Sequence, residues 1–391
     1  MTTPNSLGGT AVLTLAHVAG MVDMVALPVW IGTLMQHYGF SPPQAGITVT
    51  VFLLGVVLAS GLCAPRFNRL PRRAATAMGF ALASVAFALA SRQPVQAQSL
   101  GVLIALHAVA GLGTGCALTF THGSIGRSAN PHRLFAVVNV ALGVFAVAFL
   151  GGVPQLVAAL GANVLFEVMA VTMGLAAVVT ALAFPELPAL VVTTAATPAL
   201  RIPKAAWWTI GVVVCLTLNQ AMVFSFVERI GAERGFGAER VNAVLIALGL
   251  VNLLPGALAA ALQRRWSPVA VGIAGPVGQA LLALVMSGSA SFAPYAVAAS
   301  LYVFMVIFTH TFLFGLLSRL DPTGRATAAT PAMMMVGSCI GPALGGGIVA
   351  GLGYPGLGWA ACAVAAMAVV GMWQVQKALG AAPAPLVRQM A

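Results

Sequence analysis

Apolar residues in this chain run in blocks of about twenty, each long enough as a helix to cross the roughly 30 Å hydrocarbon layer of a bilayer. Short segments between the blocks hold nearly all of the charge. Twelve blocks are predicted as membrane spans. Six lie at 7–34, 46–64, 74–90, 100–120, 134–156 and 164–184, and six more at 206–227, 241–262, 269–287, 295–317, 327–350 and 357–375. Glycine and proline within them do not argue against helix, because transmembrane helices tolerate both. Residues 1–184 are expected to form one six-helix bundle and 205–391 another, joined by a polar linker rich in Pro and Thr over 185–204. The expected fold is an all-α integral membrane protein.

Composition agrees with that pattern. Of 391 residues, 60% are hydrophobic and 6% charged, and the mean hydropathy is +1.00. A soluble domain has far more charge on its surface. The net charge of +11 suits a nucleic-acid partner in principle, but no such partner is expected, because the basic residues cluster in loops on one side of a membrane. With the N-terminus placed in the cytoplasm, fourteen Lys and Arg fall inside and four outside (Arg92, Arg229, Arg234 and Arg240). The last three alternate with Glu228, Glu233 and Glu239. An even number of spans then puts both termini in the cytoplasm, in a multi-pass protein of a bacterial-type inner membrane. Met1 to Leu7 carries no basic segment, so the first block is expected to stay as a span rather than be cleaved. The five cysteines lie in or beside apolar blocks without paired spacing and are expected to be packing residues.

The two halves repeat. Thr119, Phe120, Gly123, Arg127 and Arg133 recur with the same spacing as Thr311, Phe312, Gly315, Arg319 and Arg325, an offset of 192 positions. Gly39-Phe40 recurs as Gly235-Phe236 at an offset of 196. A repeat of half the chain across a linker is the mark of two parallel bundles with a cavity between them.

After span 2 the sequence reads Gly61-Leu62-Cys63-Ala64-Pro65-Arg66-Phe67-Asn68-Arg69-Leu70-Pro71-Arg72-Arg73. This segment resembles the signature loop of the major facilitator superfamily of secondary transporters, with Pro65 in place of an Asp and Asn68 in place of a Gly. Span 4 carries His107 followed by Gly111, Gly113 and Gly115, similar to a family pattern in which an Arg stands where His107 does. Span 11 carries Gly337, Gly341-Pro342 and Gly345-Gly346, in the form of the family's antiporter motif, although the family places that motif in span 5. The resemblance covers the whole chain. It implies twelve transmembrane helices in two pseudo-symmetric six-helix bundles, alternating access, and a gating loop at Gly61, Arg66, Arg69, Arg72 and Arg73. It also marks His107 for proton coupling.

Two carboxylates fall within the predicted spans, Asp23 and Glu167, and no Lys or Arg does. An ionisable side chain in hydrocarbon is costly unless neutralised or paired, which makes both candidates for proton coupling. Asp23 lies roughly 20 Å along span 1 from its cytoplasmic end. It shares a face with Ala16, Gly20, Leu27 and Trp30, and the 196-residue offset carries it onto Asn219, beside Gln220. A protonated Asp23 bonded to a neighbouring helix is the bland alternative. Glu167 sits one turn inside the outer end of span 6, where a gating role competes with coupling. His17, Trp30, Asn219, Gln220, Asn252 and His310 are the candidates to line the substrate cavity. A soft-metal path through His17, Met21, Met24 and Met333 to Met335 is set aside, because methionine is also a common apolar filler.

No nucleotide-binding loop and no enzymatic constellation is present: Gly345-Gly346-Gly347 lies inside a span without a following Lys-Ser/Thr. No cofactor, no metal and no enzymatic activity are expected. The sequence predicts a monomeric, proton-coupled secondary transporter of a small organic solute in the lipid bilayer. The solute is expected to be neutral, amphiphilic or cationic, because no span offers the cation that a permanent anion needs. Efflux is favoured over uptake symport of a nutrient or metal chelate. A non-transporting membrane receptor or assembly factor is the alternative of another class.

Overall fold

The computed structural model describes residues 3–129, 131–186, 202–320, 326 and 330–380. Most of the 185–204 linker lies outside the described residues, as do Arg201, Arg325, Arg388 and the side chain of Arg133.

Among the described residues, twelve helices are long and apolar enough to cross a membrane. They are span 1 Leu7–Gln36, span 2 Pro42–Arg66, span 3 Arg72–Ala90, span 4 Ala97–Gly126, span 5 Leu134–Leu160 and span 6 Val164–Ala183. Span 7 Lys204–Glu233, span 8 Ala238–Ala259, span 9 Pro268–Gly288, span 10 Phe292–Leu320, span 11 Ala332–Leu352 and span 12 Pro355–Gly380 complete the set. Most run a turn beyond the apolar blocks, because helix ends extend into the polar layer where side chains can cap them. Arg66 donates to the Leu62 carbonyl at 2.7 Å at the end of span 2. Arg73 donates to the Ala181 and Leu182 carbonyls at 2.6 and 3.0 Å at the end of span 6, where free carbonyls attract cations. Phe67 stacks on Phe120, and Arg72 lies over the Phe67 ring.

Spans 1 to 6 pack mainly on one another, as do spans 7 to 12, and the two sets meet where span 2 crosses span 11 and span 5 crosses span 8. The sequence repeat has a structural counterpart. The Thr119 and Thr311 hydroxyls both donate back one turn, to the Gly115 and Ile307 carbonyls at 2.7 and 2.9 Å, and both following phenylalanines are buried. The perimeter is apolar. Met78, Leu82, Val85 and Leu89 on span 3, and Val171, Leu175, Val178 and Leu182 on span 6, form exposed stripes at helical spacing. Water does not tolerate such a surface, and hydrocarbon does.

The faces of the molecule differ in how the halves meet. At the face opposite the two chain ends, here called distal, one apolar core joins both halves, with Trp30, Phe40 and Val49 packed into the same cluster as Phe226, Ile230 and Val349. Toward the terminal face the core divides. Leu13, Ile125, Val138 and Phe184 belong to the first half alone, and Val213, Leu316, Met333 and Met372 to the second.

Candidate functional site

Span 1 is two helices, Leu7–Gly20 and Val22–Gln36, broken at Met21, whose backbone at φ −108° and ψ 19° leaves the helical region. Pro28 lies in the second helix and supplies no amide to the Met24 carbonyl. Asp23 occupies the first turn after the break, with its own amide and that of Met24 turned toward the carboxyl. Amides at a helix start favour negative charge, although that of Met24 also donates to the Met21 carbonyl at 3.1 Å. The side chain is 1% exposed, and its Oδ1 has no hydrogen-bond partner.

One and two turns beyond Asp23 the same helix reaches Leu27 and Trp30, both buried. The Trp30 indole donates to His107 Nε2 at 3.0 Å, and His107 Nδ1 lies 2.6 Å from the Leu103 carbonyl. A carbonyl only accepts, so Nδ1 carries the hydrogen and Nε2 takes the indole proton. Both ring nitrogens are therefore satisfied, and a second proton on the ring would set N–H against N–H. Phe52, Phe87 and Phe166 pack around this pair at ring separations of 5.2 to 5.8 Å. His107 thus holds Trp30 in place across spans 1 and 4.

The remaining candidates are spread out. Asn219 donates to the Ala361 carbonyl at 3.0 Å, its Oδ1 has no partner, and its own carbonyl accepts from Tyr302 at 2.7 Å. Gln279 adds a bond to the Tyr302 hydroxyl at 3.3 Å and leaves its Oε1 unpartnered. Gln220 is buried beside Asn219 on span 7. Asn252 caps the Ala238–Val251 helix, with a buried Oδ1 that has no partner. His310 stacks on Phe314 with its Nε2 unpartnered. Glu167 is exposed on the first turn of span 6, away from the core. Gly61 is exposed near the end of span 2, and Arg69 lies in the turn that follows. Trp30 and His107 are thus the candidates in direct contact, while Asp23 and Asn219 lie on spans 1 and 7, whose Val22–Gln36 and Lys204–Phe224 helices touch.

Two sets of residues escaped sequence reading. His17 Nδ1 lies 2.9 Å from His122 Nε2, a cross-helix pair between spans 1 and 4 whose other member stands in a Thr-Phe-Thr-His run that gives no hint of it. The second set corrects an expectation. Glu228 and Arg229 were placed in an outer loop, yet span 7 continues to Glu233 and both lie within it. Its helix is interrupted at Ser225-Phe226 and resumes as Val227–Glu233. The apolar run ends at that interruption, which is why the sequence shows a loop.

Close approach seals the distal face. A side chain on Gly46 would strike the Pro342 carbonyl of span 11, and one on Gly346 would strike the Pro42 carbonyl of span 2. The Ala343 amide donates to Thr50 Oγ1 at 3.1 Å across the same crossing. Within span 11's Gly- and Pro-rich motif, Pro342 and Gly346 therefore meet the other half, while Gly337, Gly341 and Gly345 pack on span 7 of their own half.

Among the described residues, twelve spans in two repeated sets, sealed together at one face and divided at the other, with a broken helix and a buried carboxyl in the core that joins them, define a multi-pass membrane protein of the two-bundle transporter class. The sequence pattern of the Major Facilitator Superfamily matches residues 12–334, and the chain belongs to that family. In structure it is similar to a protein solved as "Crystal structure of D-xylose-proton symporter", with a TM-score of 0.72 at 17% identity over 94% of this chain and 96% of that one. At that identity the likeness is one of fold. No curated protein matches the chain in sequence.

Proposed function

We propose that this protein is an alternating-access secondary transporter that couples the movement of a small neutral, amphiphilic or cationic solute to protons through Asp23. The supporting observation is the Asp23 carboxyl itself: buried, half unpartnered, and set in the break of a helix that touches the other half. A helix interruption places backbone amides and a titratable group together at the depth where the halves meet, as in other transporters built from repeats. In the distally sealed state a path from the terminal face would admit the proton or the solute. Separation of the span 2–span 11 crossing would then give the opposite face its turn. The excess of Lys and Arg on the terminal side supports placing that side in the cytoplasm of a bacterial-type inner membrane. The unit of transport is a monomer of two bundles, residues 1–184 and 205–391.

The apolar, cation-free surroundings of Asp23 support efflux of amphiphilic or cationic solutes. Uptake symport is the second reading, and the structural likeness to a proton symporter favours it. Reconstituted protein with an imposed proton gradient distinguishes the two. Ethidium, tetraphenylphosphonium and D-xylose serve as cationic, amphiphilic and neutral probes. Accumulation in vesicles with an acid lumen supports efflux, and accumulation in vesicles with an acid exterior supports symport. A gradient that moves none of a broad panel would sink the transport reading and leave a receptor or assembly factor on the same scaffold.

A further inference from the structure

Glu228 stands at the distal crossing of spans 1 and 7. A side chain on Gly32 would lie 2.5 to 2.8 Å from both carboxyl oxygens of Glu228 and its carboxyl carbon. Only glycine lets the carboxyl sit against that backbone. Glu228 Oε2 is buried and has no hydrogen-bond partner. The carboxyl is thus a wedge between the halves, about 13 Å beyond Asp23 along an unbroken helix at 1.5 Å per residue.

Its charged and titratable neighbours are few. Arg229 is the charge placed to act on Glu228, but its side chain bonds the Tyr354 hydroxyl. From span 10, Tyr295 approaches and donates to the Val227 carbonyl at 2.8 Å. Arg234 donates to the Ser287 carbonyl at 3.2 Å and Arg240 lies over Phe292. Glu233, Glu239 and His37 are exposed. On span 1, Asp23 lies further down the helix, and in the loop after that span Tyr38 donates to Asn163 at 2.8 Å. Span 9, also packed here, has no titratable side chain.

An ionised carboxylate pressed on a glycine backbone, with one oxygen unsolvated, is costly. The same group in an opened gate has water. We propose that Glu228 is a second proton-binding site, located in the distal gate, which holds its proton while that face is closed and loses it when the face opens. In opening, spans 1 and 7 part, the carboxyl O–H bond breaks, and the proton passes to water on the distal side. Closure takes a proton back. The inference rests on the alternating-access reading but not on Asp23 or on any particular solute.

Spin labels at Gln96→Cys and Ser291→Cys, on distal turns of the two halves, report gate opening in lipid nanodiscs without substrate. Linkage to one proton predicts that the ratio of distal-open to distal-closed protein rises with pH, by up to tenfold per unit. This response should persist in Asp23→Asn and disappear in Asp23→Asn/Glu228→Gln, which should favour closure at every pH. Gly32→Ala displaces the carboxyl from its seat and should favour the open form at every pH. The inference is overturned if the labelled parent shows no pH response, if Asp23→Asn alone removes it, if the double variant keeps it, or if Gly32→Ala leaves the ratio unchanged. Solute flux plays no part in the readout, so failure here is distinct from failure of the transport reading.

Discussion

Gly46→Ala adds one methyl group at the tightest point between the halves. The new carbon would strike the Pro342 carbonyl oxygen, and it would lie 2.8 Å from the Pro342 carbonyl carbon and 3.1 Å from Ala343 Cα. All three are backbone atoms in a helix, so no rotamer change relieves the clash. Spans 2 and 11 must separate by roughly an ångström to reach ordinary van der Waals distance. Overpacking of this kind costs about 1–3 kcal/mol. The separation also stretches the 3.1 Å bond from the Ala343 amide to Thr50 Oγ1, and losing it removes about 0.5–1.5 kcal/mol. The sum, about 1.5–4.5 kcal/mol, falls on the distally sealed state alone and shifts the gate equilibrium toward opening by roughly 10-fold to 2,000-fold. Gly346→Ala meets the Pro42 carbonyl and should act in the same direction. The two should not add fully, because they relieve one interface. Distance distributions between the Gln96 and Ser291 labels measure the shift directly. A Gly46→Ala protein with the parent's distribution and unchanged thermal stability would refute the claim that this crossing is the seal.

Trp30→Phe leaves His107 Nε2 buried without a donor and should lower stability by about 1–3 kcal/mol. Trp30→Phe/His107→Leu, which removes both partners, should recover part of that loss in a thermal melt in detergent. Burial pushes the Tyr38 phenol up to about 12, so it remains a donor to Asn163 across the working pH range. Tyr38→Phe should therefore cost about 1 kcal/mol with no change between pH 6 and 9, read from melts at both values. A cysteine at Ser41 should react with an impermeant maleimide from outside intact cells and one at Asn68 only after permeabilisation. The opposite pattern would reverse the orientation.

How far the sequence carries depends on the range of the forces involved. Hydrocarbon thickness imposes a block length on every span, so the spans are written into local composition. The clamp of Trp30 by His107 is not, because its partners are 77 positions apart and nothing about an isolated tryptophan announces an acceptor. Asp23 stood out because a carboxylate in an apolar run is rare. The break beside it did not, since Met21 is no helix breaker. Glu228 was missed for a related reason: the helix restarts after Ser225-Phe226 with a polar Glu-Arg pair, which in sequence alone is indistinguishable from a loop. Glycines were legible as frequent and not as contacts. Only the crossing geometry shows that Gly46 and Gly346 seal a gate while Gly61 meets nothing.

The most direct test of the account is accumulation by Asp23→Asn in proteoliposomes, using a solute that the wild-type protein moves. Asparagine keeps the shape and hydrogen bonding of the side chain but cannot ionise. With one proton per solute, a gradient of one pH unit supports about tenfold accumulation, equivalent to about 1.4 kcal/mol. The wild-type protein should approach that limit. Asp23→Asn should equilibrate the solute across the membrane and accumulate none, because the side chain's shape and hydrogen bonding remain while the coupling is gone. If Asp23→Asn concentrates the solute as the wild type does, Asp23 is not the coupling group and the central claim fails.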